Sequence, residues 1–175
     1  MTVTAAPMRL RPGVWTVIDQ RTRATFAVGN LGVRVVHGSI AVSSGVVDVG
    51  ANGLPLRGRI ELDLRTVDTG IAKREADLRK PGLLDIEAHP TMTFTTDDIE
   101  TGRAGWTARG ELGLRGTSCH LVLGGPLPEL VDGLLSVTGT ATLDRYDVGI
   151  RAPRAMIGRE VRITVETWLR PSGGP

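Results

Sequence analysis

Aromatic side chains are scarce in this sequence. Its 175 residues include two Phe, one Tyr and three Trp. Small closed sheets are usually filled by large side chains, so a core built from this chain has little aromatic material with which to fill itself. Twenty-three Gly and ten Pro predict many turns and bulges.

Cysteine and histidine are also too few for most site chemistry. Cys119 is the only cysteine, which excludes an internal disulfide. It adjoins His120, and neighbouring residues on a strand point to opposite faces. The other two histidines, His37 and His89, lie far from it in sequence. Neither a glycine-rich phosphate loop nor a GxSxG motif occurs. The sequence therefore predicts no metal site, no catalytic residue and no cofactor.

The chain has little net charge of either sign. The formal charge is +2, and Lys73 and Lys80 are the only lysines. A small surplus spread along the chain is not the electrostatic pattern of a nucleic-acid-binding protein. The densest basic stretch, residues 145–162, is interrupted by Asp147 and Glu160, and it is either a solvated surface or an anion-binding rim.

Long apolar runs are missing as well. No run approaches the roughly 20 residues that span a bilayer, and residues 1–13 lack the apolar segment of a signal peptide. We expect a soluble, cytoplasmic protein. A lipid partner would have to come to it or be drawn from a membrane surface, which leaves transient membrane contact open. Formation of a homodimer is left open as well.

Alternation of apolar and polar residues predicts the fold. It is clearest over residues 56–67, where Ile60, Leu62 and Leu64 share a face. We predict an all-β fold, an antiparallel barrel of about eight strands in one domain (residues 13–170) with flexible termini (1–12 and 171–175). The predicted strands cover residues 14–19, 22–28, 35–42, 46–49, 56–67, 91–96, 106–115, 118–123, 134–143 and 160–169, with a hairpin turn at residues 43–45.

A short helical insertion interrupts the strands near residues 71–85. Asp68 and Thr69 offer N-cap chemistry, and the Pro-Gly pair at residues 81–82 ends the helix. The helix is too polar for a core position. It suits a cap over one mouth of the barrel, with Leu78, Leu83 and Leu84 turned inward, or a plain crossover connection.

Small residues on apolar faces suggest a hollow interior. Ala108 and Gly110 lie on the apolar face of one predicted strand, and Gly139 lies on that of another. Natural interiors leave few voids, so this space is filled either by bulky groups from across the barrel or by a ligand. The glycines could instead mark barrel corners or bulges.

Several motifs together resemble the YceI-like family. Most of the chain, about residues 13–168, takes part in the similarity. In order, the motifs are Trp-Thr-Val-Ile-Asp at residues 15–19, Thr-Phe-Ala-Val at 25–28, Val-His-Gly at 36–38, residues 60–69, the charged segment 73–79, Leu-Leu-Asp at 83–85, residues 89–94, residues 144–149 and residues 157–161.

The resemblance implies a lipocalin-like antiparallel barrel that binds long isoprenoid chains such as polyprenyl phosphates or quinones. Asn30 and Asp77 stand where the family often has histidine, and Leu83 and Leu84 replace aromatic residues. The apolar residues that we expect to contact the lipid are Phe26, Val28, Ile60, Leu62, Leu64, Leu78, Leu83, Leu84, Met92, Phe94, Leu112, Leu114, Leu121 and Leu123. Arg74 and Arg79 are the candidates for a head group at the mouth.

Two other functions remain open at this point. An enzyme acting inside the barrel would need converging polar groups, for which the sequence offers Asp77, His89 and nearby arginines. An interaction module with a filled core, for example one related to stress, is the other.

Overall fold

The computed structural model describes residues 8–30, 32–153 and 155–173. These residues form ten strands, one short α-helix and a single 3-10 turn at Asp19–Arg21. The strands are β1 (Gly13–Val17), β2 (Arg23–Asn30), β3 (Arg34–Val49), β4 (Pro55–Asp68), β5 (Thr91–Thr101), β6 (Trp106–Leu114), β7 (Thr117–Gly125), β8 (Glu129–Val131), β9 (Leu134–Asp144) and β10 (Ile157–Pro171), and the helix is α1 (Ala72–Leu78).

Eight of these strands close a barrel. Neighbours pair antiparallel in the order β10-β2-β3-β4-β5-β6-β7-β9, and β9 pairs back to β10. β1 extends one end by pairing with both β3 and β10, while β8 forms a short hairpin with β9. The predicted barrel of about eight antiparallel strands with one helical insertion is confirmed.

The hairpin predicted at residues 43–45 is wrong, because β3 runs unbroken through it. The register against β4 shifts between Val42 and Ser44, which marks a bulge. The hydroxyl of Ser43 donates to the Glu61 carbonyl at 3.1 Å, and that of Ser44 donates to the Glu61 carboxylate at 3.0 Å. Residues that commonly form turns here bend a long strand instead.

Aromatic rings occupy part of the space that inward glycines leave. A Cβ on Gly110 would come within 2.8 Å of the Phe94 ring, and one on Gly139 within 2.8 Å of the Trp106 ring. The Phe26 ring lies in the same way over Gly38, its partner across the strands. A side chain at any of these three glycines would therefore collide with a ring. The few aromatic side chains fill only part of the lumen.

One end of the barrel, which we call the packed end, is solid. It carries α1 and the following turns between β4 and β5. Leu64, Ile86, Val148 and Arg145 are completely buried there.

Two arginines hold the packed end together. The guanidinium of Arg115 donates to the carbonyl of Pro81 at 2.7 Å and to that of Val148 at 3.1 Å. It thus joins three separate connections. Arg145 donates to four carbonyls, two in its own connection (Ile150 at 2.6 Å and Ala152) and two at the start of β10 (Ile157 and Gly158, both at 2.9 Å). A buried guanidinium needs such partners to offset the loss of water.

The termini were predicted to be flexible over residues 1–12 and 171–175. Residues 1–7 and 174–175 lie outside the described ones. Met8 and Leu10 pack against a small apolar cluster around Trp15, and the Leu10 amide donates to the Gly53 carbonyl at 2.9 Å. Pro171 pairs with Trp15. Residues 8–12 are thus docked on the barrel, and flexibility of the remainder stays a prediction.

Candidate functional site

An apolar cavity of about 170 Å³ lies inside the barrel at the end opposite α1. We call this the open end. The lining residues come from the strand termini that meet there, such as Pro55 at the start of β4 and Leu169 near the end of β10. The full lining is Met8, Leu10, Val17, Val46, Val47, Pro55, Gly58, Arg59, Ile60, Phe94, Thr96, Ile99, Thr101, Trp106, Ala108, Leu123, Pro128, Leu135, Val137, Gly139, Val165, Thr167 and Leu169.

The wall of this cavity is almost free of charge. Arg59 is the one charged side chain among the described residues that line it, and its guanidinium pairs with the Glu61 carboxylate at 2.5 Å. That hydrogen bond, assisted by Ser44, lowers the pKa of Glu61. The hydroxyl of Thr96 donates to the Arg109 carbonyl at 2.7 Å. Arg59 and Thr96 are therefore already paired, and the interior offers mainly hydrophobic contact.

Trp106 forms one side of the cavity. Its indole N–H donates to the Thr138 carbonyl at 3.2 Å, and its ring lies against Gly139. This fixes the apolar face of the ring toward the lumen. Of the three small residues that suggest a hollow interior, Ala108 and Gly139 line the cavity and Gly110 does not. Both explanations for them therefore apply, because rings fill part of the space and part stays open.

β8, which lies at the rim of the cavity, corresponds to none of the strands predicted from the sequence. The β8–β9 hairpin turns at Asp132 and Gly133, both with positive φ, and it places Pro128 and Leu135 against the cavity. An Asp-Gly pair between apolar residues is a strong hairpin signal, so this element could have been found from the sequence.

The predicted lipid contacts divide between the cavity and the packed core. Ile60, Phe94 and Leu123 line the cavity. The others do not line it. Most are core residues or pack against the core: Leu62, Leu64, Met92, Leu112, Leu114 and Leu121 are buried, and Phe26, Leu78, Leu83 and Leu84 are half-buried against them. Val28 is half-buried on β2.

The helical insertion, which we expected to cap the ligand site, lies at the end of the barrel opposite the cavity. Leu78, Leu83 and Leu84 turn inward as predicted, but they close the packed end. The head-group candidates lie there too. Arg74 is half-buried on α1, and Arg79 donates to the Arg65 carbonyl at 3.0 Å and pairs with Glu87 at 3.2 Å. Neither can meet a head group at the open end, because the packed core lies between.

The residues considered for catalysis do not converge. Asp77 pairs with Lys80 on the surface of the insertion at 2.6 Å, and this hydrogen bond lowers the pKa of the carboxyl. His89 lies 3.9 Å from Asp85, beneath the turn at Gly116. Neither is among the described residues around the cavity.

A family model described as the YceI-like domain matches residues 15–169. The chain belongs to the YceI-like family. A UPF0312 protein from Azotobacter vinelandii is 27% identical to this YceI-like protein over 113 residues, 61% of this chain. The match spans 58% of that relative's length.

Solved structures share the fold of this YceI-like protein. BcnA from Burkholderia cenocepacia has a TM-score of 0.75 at 13% identity, over 87% of this chain and 98% of its own. A polyisoprenoid binding domain from Saccharophagus degradans, implicated in plant cell wall breakdown, has a TM-score of 0.68 at 15% identity, over 90% and 98%. The YceI protein of Campylobacter jejuni has a TM-score of 0.68 at 18% identity, over 79% and 86%. The lipocalin-like barrel architecture is confirmed.

Among the described residues, no helix of this YceI-like protein has both the length and the apolar character to cross a bilayer. The expected cytoplasmic location stays a prediction.

Proposed function

We propose that this protein binds one end of an apolar, isoprenoid-type chain in the cavity at the open end. The observation that carries the proposal is an internal space with an almost uncharged wall, in a protein whose other half is solidly packed. A cavity lined by apolar side chains stays dry and accepts apolar guests. The polyisoprenoid binding domain that shares this fold supports the same class of ligand.

The volume limits how much of a chain can enter. An engineered apolar cavity of about 150 Å³ holds one benzene molecule, so about 170 Å³ accommodates a segment of similar size, about one isoprene unit. Burial of about six carbon atoms at about 0.8 kcal/mol each gives at most about 5 kcal/mol, which corresponds to a sub-millimolar Kd. Tighter binding requires further contacts at the rim with Met8, Leu10 or Pro128.

The test is a titration with isoprenoid and linear alcohols of increasing length, followed by tryptophan emission. Because Trp106 lines the cavity, we expect a spectral change that Trp106→Phe removes and Trp168→Phe leaves. Affinity should rise about fourfold per added carbon and then level off once the cavity is full. A protein that takes up none of the series, by this signal and by native mass spectrometry, would refute the proposal.

The structure offers less support for the two other functions. An enzyme needs polar groups that converge on a substrate, and the lining has Arg59, already paired, and three threonines. An interaction module with a filled core fits the packed end of the barrel but not the open end. Binding without chemical conversion is therefore the function that we propose.

A further inference from the structure

The connections at the two ends of the barrel differ in the number of charged residues that they carry. The insertion at the packed end, between β4 and β5, carries Lys73, Arg74, Glu75, Asp77, Arg79, Lys80, Asp85 and Glu87. The β3–β4 connection at the open end, residues 50–54, has no charged residue, and the β5–β6 connection, residues 102–105, has only Arg103. These two connections therefore present a single charge at the open end.

Large apolar side chains stand exposed around the mouth of the cavity. Leu56 is 51% exposed, Leu127 42%, Leu130 52% and Val131 41%. Leu56 follows Pro55 and Leu127 precedes Pro128, and both prolines line the cavity. Leu130 and Val131 lie on β8, where Leu130 pairs with Leu135, a third lining residue. The apolar wall therefore continues outward onto the rim.

Charges at this rim are mixed, with a positive surplus. Arg9, Arg11 and Arg103 are exposed, and none of them has an ion pair among the described residues. Arg9 donates to the carbonyl of Asn52 at 2.7 Å, which holds it beside the uncharged connection. Glu129 and Asp132 on the β8–β9 hairpin oppose them. The arginines complement anionic head groups, and the leucines suit the apolar layer beneath.

We propose that the open end docks on the surface of a phospholipid bilayer, so that the apolar ligand passes between membrane and cavity without crossing water. This inference rests on the proposed function, since it describes how the ligand of that cavity is exchanged. The partner is the bilayer surface itself, engaged by the rim leucines and arginines.

The test compares Leu130→Glu and Leu56→Glu with a matched control, Val33→Glu. Val33 is the most exposed large apolar residue of the described chain, at 85%, and it lies in the β2–β3 connection at the packed end. All three changes add one negative charge at an exposed apolar site, so a general effect of charge or folding would appear in all of them.

Two measurements are made on each variant. The first is flotation of the ligand-free protein with vesicles of phosphatidylcholine and phosphatidylglycerol. The second is the rate at which a fluorescent farnesol analogue moves from such vesicles to the protein. We expect both rim variants to lose roughly fivefold or more in vesicle binding and in transfer rate, with Val33→Glu like the wild type. Equilibrium binding of the analogue from solution should not change.

The outcomes separate the two proposals. Vesicle binding that is absent in the wild type, or equally reduced in Val33→Glu, overturns docking even if the analogue is bound. A wild-type dimer that Leu130→Glu dissociates, with no vesicle binding, overturns it in favour of a second copy on this face. Selective loss of vesicle binding in the rim variants supports docking even if no analogue binds, in which case only the proposed ligand fails.

Discussion

Gly124 of β7 stands opposite Thr140 of β9, and this is the one register pair that joins the two strands in the described chain. The Thr140 hydroxyl also donates to the Gly124 carbonyl, at 3.4 Å. Toward the packed end the strands separate, and a surface groove of about 590 Å³ opens between them, with His120, Val122, Thr142 and Arg162 along it. The closure of the barrel is weakest at this seam.

We therefore expect the amides of residues 118–122 that face β9 to exchange with solvent much faster than the interior amides of β3 and β4. Backbone groups outside a continuous ladder open at low free-energy cost. Hydrogen exchange followed by NMR resolves the individual amides. Equal protection of β7 amides on both of its edges would show that the seam is closed in solution.

Filling the cavity should abolish binding and leave the fold intact. Gly58 lines the cavity, and a Cβ there would meet its nearest neighbours at 3.6–3.8 Å, an ordinary contact distance. We expect Gly58→Leu to place its side chain in the cavity and to weaken binding of a short isoprenoid alcohol at least about tenfold, the usual effect of altered pocket volume.

The control for this change is Gly82→Leu. Gly82 lies at the packed end, with nothing within 4 Å of an added Cβ, so the same substitution there should leave the Kd unchanged. The two variants and the wild type are compared by calorimetry and by thermal unfolding. If Gly58→Leu binds as the wild type does with an unchanged Tm, the ligand is not in this cavity.

Removing Arg145 should destabilise the packed end strongly. Arg145→Met preserves much of the side-chain length but leaves the carbonyls of Gly158, Ile150, Ala152 and Ile157 without this donor. Because hydrogen bonds from a charged group contribute about 1.5–3 kcal/mol each, we expect the free energy of unfolding to fall by about 3 kcal/mol or more.

Two further variants test the cause. Arg151→Met, at an exposed site in the same connection, should cost below about 1 kcal/mol, since a contact with the Tyr146 ring is what its guanidinium makes among the described residues. Arg145→Lys should recover only part of the loss, because lysine lacks the planar fork of donors. Urea unfolding followed by circular dichroism measures all three, and a loss under about 1 kcal/mol in Arg145→Met would contradict the assigned role.

The thiol of Cys119 should be unreactive near neutral pH. Burial raises its pKa, and the carboxylates of Asp147 and Glu111 raise it further. Since the thiolate is the nucleophile, we expect alkylation by iodoacetamide at pH 8 to be slower than for free cysteine. Because the folded state disfavours the thiolate, the contribution of Cys119 to the free energy of unfolding is fully present below the usual pKa of a thiol. It is lost as pH rises through the raised pKa of Cys119.

Asp147→Asn separates the two causes of that shift. It removes a nearby charge and leaves the burial, so the pKa of Cys119 should fall only part of the way and alkylation should accelerate modestly. The rate is measured against pH by mass spectrometry. A midpoint at or below that of free cysteine in the wild-type protein would contradict the assignment.

Strand alternation in the sequence was enough to determine the class of fold. The faces of β4, β6 and β9 could be read from period-two patterns such as Ile60, Leu62 and Leu64, because a strand sends alternate side chains to opposite sides. The small residues Ala108 and Gly139 indicated open space for the same reason. The turn between the predicted strands at residues 106–115 and 118–123 also followed from the sequence. The Ser-Ser-Gly segment at residues 43–45 misled, because a bulge and a turn use the same residue types.

Only the tertiary structure decided which half of the barrel is open. Leu62, Leu112 and Leu123 look alike in sequence, as inward apolar residues of paired strands. Leu62 and Leu112 are buried in the core, while Leu123 borders the cavity, because the distinction depends on which connections pack over each end. Arg145, Ile86 and Val148 fill the end that carries α1, whereas β1, β8 and residues 8–12 lie around the opposite end and leave the cavity open. Such contacts join residues far apart in the chain, so no local pattern encodes them.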